Sequence, residues 1–176
     1  TGQSKAWETK LGRGSIQGGV HFGMAAAGST VFVPINDMND TRNGEWLDPK
    51  TARPGVSAID AATGKVLWSH VQNNVCGEGR PFCDPGVSAP VTATDDAVVA
   101  GHLDGFIRIY NSETGDIVWS FDTATSVTGT NGVIAKGGSM SGSGPALGEG
   151  HLVINSGYGL YNHEAGNALL VFAPPS

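Results

Sequence analysis

The sequence predicts an all-β fold made of repeated four-stranded units, and three observations carry the prediction. The stretch Ala58 to Trp68, AIDAATGKVLW, returns 51 positions later at Ile109 to Trp119 as IYNSETGDIVW. Asp60 therefore falls on Asn111, Thr63 on Thr114, Gly64 on Gly115 and Trp68 on Trp119. A period of about 50 residues marks a propeller or solenoid and decides the fold before any local reading does. Composition agrees: 27 glycines and 9 prolines among 176 residues, with 39% hydrophobic and 15% charged, describe short elements joined by turns. Finally, no stretch has the periodicity of a long amphipathic helix.

Taken in order, residues 1–10 open with TGQSKAW, which reads as a turn between strands C and D and the strand D of a preceding unit, with one inserted residue. The first full repeat, residues 20–70, places strand A at Gly23 to Ala27, B at Thr30 to Ile35, C at Val56 to Asp60 and D at Lys65 to His70. The second, residues 87–122, places A at APVTAT, B at AVVAGH, C at FIRIYN and D at DIVWSF, with Asp95-Asp96 and Asp104-Gly105 as its tight turns. Strand C alternates side chains as a sheet strand should, and strand D carries the tryptophan. The third, residues 140–176, offers GPALGEG, HLVINSG and ALLVFAP as strands A, B and C without a strand D. The order D, ABCD, ABCD, ABC reads as about three four-stranded blades of a β-propeller. Three blades fall short of the about four to eight that close a ring, so the chain is expected to be part of a larger one.

The T-G-x-x-x-W element is expected to be architectural. Gly64 and Gly115 supply a left-handed turn between strands C and D, and the tryptophan docks on a neighbouring blade. Because successive strands are antiparallel, the A-to-B and C-to-D turns share one face of the disc, and these are short throughout. The opposite face carries the connections 8–22, 36–55, 71–86, 123–143 and 156–167, with only 102–105 short. Long connections inside a compact domain are usually functional, which makes this the face to search.

Charge narrows the partners. A net charge of -6, with ten scattered Lys and Arg, argues against a nucleic-acid partner, whose phosphates call for clustered cations. No run approaches the roughly 18 apolar residues of a membrane span. The chain begins at Thr1 without Met or a leader, as a mature product or a fragment would. Cys76 and Cys83 enclose a short Gly- and Pro-containing loop, a spacing that suits a local disulfide in a secreted protein. Free thiols and half of a zinc site are the other readings, the latter lacking both C-x-x-C and a His at ligand spacing.

The motifs AIDAATGKVLW and IYNSETGDIVW, the run GHLDGFIRIYNSETGDIVWSFDT, the stretch NGVIAKGGSMSGSGPAL and the ending HLVINSGYG followed by GNALLVFAP resemble the quinoprotein alcohol dehydrogenases. The nearest branch is the polyvinyl-alcohol-dehydrogenase-like, PQQ-binding propeller repeats, and the likeness runs over nearly the whole chain, as to the C-terminal part of that family. The resemblance implies a periplasmic or secreted bacterial ring of seven or eight blades, with PQQ over the central channel and calcium beside it. It implies oxidation of an alcohol by hydride transfer to the quinone, with a cytochrome c as electron acceptor and the remaining blades completing the site. A cation beside the quinone oxygens would stabilise developing charge, and Lys136, in AKGGS on the long-loop face, is the residue expected to supply it. Gly137 and Gly138 next to it, with Gly142 and Gly144 around Met140, either let the backbone approach a flat ligand or belong to a Gly-rich loop crossing the channel mouth. The adjacent-cysteine disulfide that many alcohol-oxidising relatives place against PQQ is absent, since Cys76 and Cys83 lie seven apart.

Other candidates carry two readings each. His21, in GGVHFG at the start of an innermost strand, faces either the channel, with a cofactor or substrate role, or the blade core. Asn36 to Asp48 is rich in oxygen ligands for calcium yet departs from the D-x-[DN]-x-[DN]-G pattern, and Asn and Asp also form ordinary turns. Asn39-Asp40-Thr41 matches a glycosylation sequon that a bacterial protein would not use. Asp104 is a turn former or a catalytic base. Gly142 and Gly144 around Met140 lack the strand-to-helix context of a phosphate loop. A non-catalytic propeller serving as an assembly scaffold, like the outer-membrane assembly lipoproteins with similar repeats, is the competing function. GHLDG echoes a WD repeat, but there the Trp precedes the C-to-D turn, whereas Trp68 and Trp119 follow it.

Overall fold

The computed structural model describes residues 2, 4–14, 18–37, 50–159 and 161–174. Strands β1 (Ala25–Ala27), β2 (Thr30–Ile35), β3 (Gly55–Asp60) and β4 (Val66–Val71) form one antiparallel sheet in that order. Strands β5 (Thr92–Ala93), β6 (Ala97–Gly101), β7 (Phe106–Asn111) and β8 (Ile117–Asp122) repeat it. After a separate hairpin of β9 (Ser126–Thr128) and β10 (Ile134–Lys136), a third sheet holds β11 (Ala146–Gly148), β12 (His151–Ser156) and β13 (Ala168–Phe172). Two four-stranded sheets and a three-stranded one thus follow one another along the chain.

The repeat extends to register. Thr30 faces Asp60 in the first sheet and Ala97 faces Asn111 in the second, and both sheets carry a bulge at the same place, after Ala58 and after Ile109. The innermost strand at 89–94 shortens to Thr92–Ala93, since Pro90 has no N–H to give the ladder. The hairpin β9–β10 was not foreseen: its 130–133 turn is T-N-G-V, a turn sequence lodged in what read as a loop. Residues 4–10 form no ladder among the described residues, because a strand D needs a strand C beside it.

The core lies between sheets. Phe32, Val56 and Ala58 of the first sheet pack against Val87, Val91, Val98, Ala100 and Tyr110 of the second repeat. Val99 and Ile107 of the second pack against Met140, Leu152 and Ile154 of the third. Because β6 is buried on both faces, AVVAG reads as a nearly continuous apolar run, and in β7 the buried polar side chain is Arg108, paired with Asp104.

The tryptophans act as the sequence indicates. The Trp68 indole N–H donates to Ser112 O at 2.9 Å, and the Trp7 indole does the same to Ala61 O at 2.9 Å, one repeat earlier. Gly115, at φ 76°, leaves no room for a Cβ, which would lie 2.5 Å from the Trp68 ring; Gly64, at φ 73°, has Trp7 in the same position at 2.6 Å. Both the handedness of the turn and the seat of the indole thus require glycine. Asp60 and Asn111 close these turns by accepting from the backbone N–H of Thr63 and Thr114.

Candidate functional site

Equivalent backbone bonds align the described ends of the long connections from repeat to repeat. Asn36 N donates to Gly19 O, Leu103 N to Gly86 O and Gly157 N to Ser139 O. His21, Ser88 and Ser141 are consequently equivalent, each two residues beyond the acceptor, at the start of an innermost strand. His21 Nδ1 lies 3.4 Å from Ser88 Oγ and 3.5 Å from Asn36 Nδ2; Ser88 and Ser141 bridge in parallel, and His163 Nδ1 lies 3.2 Å from Ser141 Oγ. His21 therefore heads a polar row at the inner edge of the blades, half-buried rather than enclosed in a core.

The same alignment makes Asp37 and Asp104 equivalent, and both are buried carboxylates. Asp37 Oδ1 accepts from Arg13 N at 3.0 Å and Gly19 N at 2.8 Å, its Oδ2 accepts from Arg53 N at 2.9 Å, and Arg13 Nε stands 3.8 Å away. Asp104 takes a two-pronged bond from Arg108, at 3.0 and 2.7 Å, and caps Phe106 N at 2.9 Å. Three donors therefore converge on the two oxygens of Asp104, which serves as the buried ion-pair partner of Arg108 and as the cap of its turn. Sequence reasoning missed the pairing, although I-N-D and H-L-D at the ends of β2 and β6 are its signature. Beside it, His102 is wholly buried, with Nδ1–H donating to Pro85 O at 3.0 Å and Nε2 accepting from Tyr110 Oη at 2.8 Å. Burial first, and the Arg108 charge second, push this imidazole down to about 4, so it is neutral. Burial likewise pushes the Tyr110 phenol above its ordinary range and keeps it a donor.

Lys136, at the end of β10, lies in a separate cluster. Its ammonium is 3.5 Å from Glu164 Oε1, while the other carboxylate oxygen of Glu164 accepts from Arg80, whose Nε stands at 3.1 Å. Arg80 also donates to Asp104 O at 2.9 Å, so one guanidinium joins the second repeat to the loop before β13. Arg80 is held by its own loop: Cys76 and Cys83 form a disulfide with Cα atoms 5.5 Å apart, and Cys83 N donates to Arg80 O. Lys136, Glu164 and Arg80, with Phe82, Asp122 and Thr125, line a cleft of about 460 Å³. Gly137 and Gly138 are buried, and a Cβ on either would meet Thr123 O at 2.2 Å or Glu164 O at 2.4 Å. The close approach they permit is to protein backbone. Lys136 and His21 share no partner among the described residues. The calcium reading of 36–48 and the sequon at 39–41 lie outside the described residues, apart from Asn36 and Asp37.

The profile of the PQQ_2 family, described as "Outer membrane protein assembly factor BamB", matches residues 1–160. The chain belongs to the PQQ_2 family. Within it, the chain is 34% identical over 177 residues to a polyvinylalcohol dehydrogenase of Pseudomonas sp., and 32% identical over 166 residues to one of Sphingopyxis sp. (strain 113P3). These matches cover 95% and 93% of this chain but 26% and 24% of the relatives, so the chain spans about a quarter of their length. Among solved structures, the quinohemoprotein alcohol dehydrogenase from Comamonas testosteroni superposes with a TM-score of 0.51 at 22% identity, over 77% of this chain and 17% of that one. That likeness supports the propeller fold. No helix among the described residues is long and apolar enough to cross a membrane.

The donor chemistry of this PQQ_2 chain suits one implied group and not the other. Lys136 and Arg80 present cations to a cleft edged by Phe82, a setting that would fit the carbonyl oxygens of an electron-poor quinone. Calcium requires about six to eight oxygen ligands. Asp37, Asp104 and Glu164 are already engaged by Arg or Lys, and no group of three or more His, Cys, Asp or Glu among the described residues is placed to hold a metal. The described residues do not provide a calcium site.

Proposed function

We propose that this chain forms part of the loop-bearing face of a PQQ-dependent alcohol dehydrogenase of the bacterial periplasm, the remaining blades and the rest of the site belonging to a longer ring. The observation that carries the reading is the match to polyvinylalcohol dehydrogenases along 93–95% of the chain. When bound, the quinone accepts a hydride from the alcohol, and a cytochrome c would take its electrons onward. This chain's contribution is electrostatic. Lys136, its side chain half-exposed and steadied by Glu164, would place a cation at the quinone oxygens, with Arg80 second to it. Gly137 and Gly138 keep the Lys136 backbone pressed to the third blade, and His21 would contribute a polar group at the inner edge.

The test is quinone binding to the longer parent protein. Lys136→Ala is expected to weaken PQQ binding by at least tenfold, about 1.4 kcal/mol, and to lower the alcohol-dependent rate. Unchanged affinity in that variant would remove Lys136 from the site. The 176-residue chain alone, supplied with PQQ and calcium, is expected to reduce no dye with alcohols, and turnover by it would overturn the division of labour. A second reading, a non-catalytic assembly scaffold, is favoured by one observation: Glu164 pairs with both Lys136 and Arg80, knitting the face as a structural surface would need. Absence of any quinone binding by the longer protein would select it.

A further inference from the structure

The carboxylate of Glu164 is shared unequally between two cations. Its Oε2 accepts from both Nε and Nη2 of Arg80, Nε standing at 3.1 Å, whereas its Oε1 is 3.5 Å from the Lys136 ammonium. Charge-assisted N–H···O bonds close to about 2.7–2.9 Å, so Lys136 is the looser partner. Glu164 itself follows neither cation. Its N–H donates to Ser139 Oγ at 3.0 Å and its carbonyl accepts from Ser139 N at 2.9 Å, which fixes its backbone on the third repeat. The Lys136 side chain is 53% exposed and that of Glu164 17%. Whichever cation holds Glu164 more closely therefore decides how much positive charge the other offers to the cleft.

Arg80 owes its place to a short ring of chain. The disulfide closes residues 76–83, Cys83 N donates to Arg80 O at 3.1 Å, and Cys76 N donates to Asn74 Oδ1 at 2.9 Å, all within the loop. Gly77 and Gly79 stand at φ 65° and 87° with open space around them, so C-G-E-G-R-P would have wide backbone freedom if the ring were open. From the ring, the Arg80 guanidinium crosses to Asp104 O at 2.9 Å and to Glu164, 84 residues along the chain. Lys136 reaches Glu164 from β10 instead. That strand is held by its ladder with β9 and by Asn167 N donating to Lys136 O at 2.7 Å, neither of which involves the ring. Opening the ring would thus loosen one competitor and leave the other in place.

We propose that Arg80 is a positioning residue for Lys136, set by the Cys76–Cys83 clip. While the clip is closed, Arg80 occupies Glu164 and leaves the Lys136 charge to the cleft. Opening the clip hands Glu164 to Lys136 and withdraws that charge. The opening step is thiol–disulfide exchange with a dithiol: the S–S bond breaks, both cysteines become thiols and the dithiol becomes a disulfide. The cleft thereby carries more available positive charge under oxidising than under reducing conditions. The consequence for quinone affinity rests on the reading of Lys136 as the cation of the cleft. The coupling of clip, Arg80, Glu164 and Lys136 does not, and its assay contains no quinone, so the two fail separately.

The experiment is acetylation of the 176-residue chain by an N-hydroxysuccinimide ester at mildly alkaline pH, followed by peptide mass spectrometry. The rate at Lys136 is divided by that at the exposed Lys65, remote from the cleft. Native chain, chain reduced with dithiothreitol and capped with iodoacetamide, Arg80→Gln and Glu164→Gln are compared. Opening the clip is expected to lower the Lys136 ratio about threefold, the scale of an exposed ion pair, and Arg80→Gln to lower it equally with the clip closed. In Glu164→Gln the ratio is expected to rise and to become indifferent to the clip. A ratio that ignores the clip or Arg80, or that still responds to the clip without the Glu164 carboxylate, overturns the proposal. Circular dichroism that changes when the clip opens overturns it too, because the clip would then be holding the blades and not Arg80 alone.

Discussion

Lowering the pH should strip stability from this chain through one ring, His102. The folded protein holds it neutral, its pKa pushed from the ordinary 6.5 to about 4 by complete burial and by the Arg108 charge. The sign follows from proton counting. Between pH 6.5 and about 4 the unfolded chain binds a proton that the folded chain refuses, so stability is intact above 6.5 and declines as pH falls through the window. A gap of that size, at ~1.4 kcal/mol for each pH unit, amounts to about 3 kcal/mol by pH 4. Carboxylates titrate over the same range, so the effect is isolated by difference. Urea unfolding followed by tryptophan fluorescence, from pH 7 to 4.5, would compare the native chain with His102→Gln, whose amide retains a donor for Pro85 O and an acceptor for Tyr110. The native chain's advantage over the variant is expected to shrink by ~2–3 kcal/mol as pH falls across that range. Parallel curves would refute the reasoning, because they would mean that the imidazole takes up its proton without cost.

Three further outcomes are expected from the same unfolding measurement. Trp68→Ala should cost about 3–5 kcal/mol, as it empties a packed interface and strands Ser112 O, whereas Trp119→Ala, beside an open pocket, should cost less than half as much. Gly115→Ala should destabilise by several kcal/mol, since it adds a clash with the Trp68 ring to a left-handed turn; Gly150→Ala, at φ 73° with open space around it, should lose only about 1 kcal/mol. Cys76→Ser with Cys83→Ser should lower stability by about 2.5 kcal/mol from loop closure alone, and reductant should reproduce the loss in the native chain while leaving the variant unchanged.

The sequence disclosed the blades because their punctuation is local. A T-G turn, an Asx residue that closes it and a Trp four residues beyond the glycine are set by short-range geometry, and they recur at fixed spacing. The hairpin β9–β10 stayed hidden since strands of three residues carry too little alternation to distinguish from a loop. The site was legible only in its location. That the chemistry-bearing loops share a face followed from strand order, and the Cys76–Cys83 clip from spacing. The partners within that face did not: Arg80 and Glu164 are separated by 84 residues and Lys136 by a further hairpin, so their meeting is a product of blade packing. Asp37 and Asp104 were individually visible as turn residues, yet their shared role as buried carboxylates with an arginine appears only when backbone bonds align the repeats.

The indole bonds that link the blades run in one direction, and this bears on how the protein is made. Trp68 finds its acceptor 44 residues later in the chain and Trp7 finds its own 54 residues later. On a ribosome each sheet would emerge before the carbonyl that its tryptophan needs. A blade would then wait, its indole and interblade face uncovered, until the turn of its successor had been synthesised. Consolidation would advance from the first blade toward the last, one repeat behind synthesis, and the most recent blade would always be the one exposed to chaperones and to neighbouring chains.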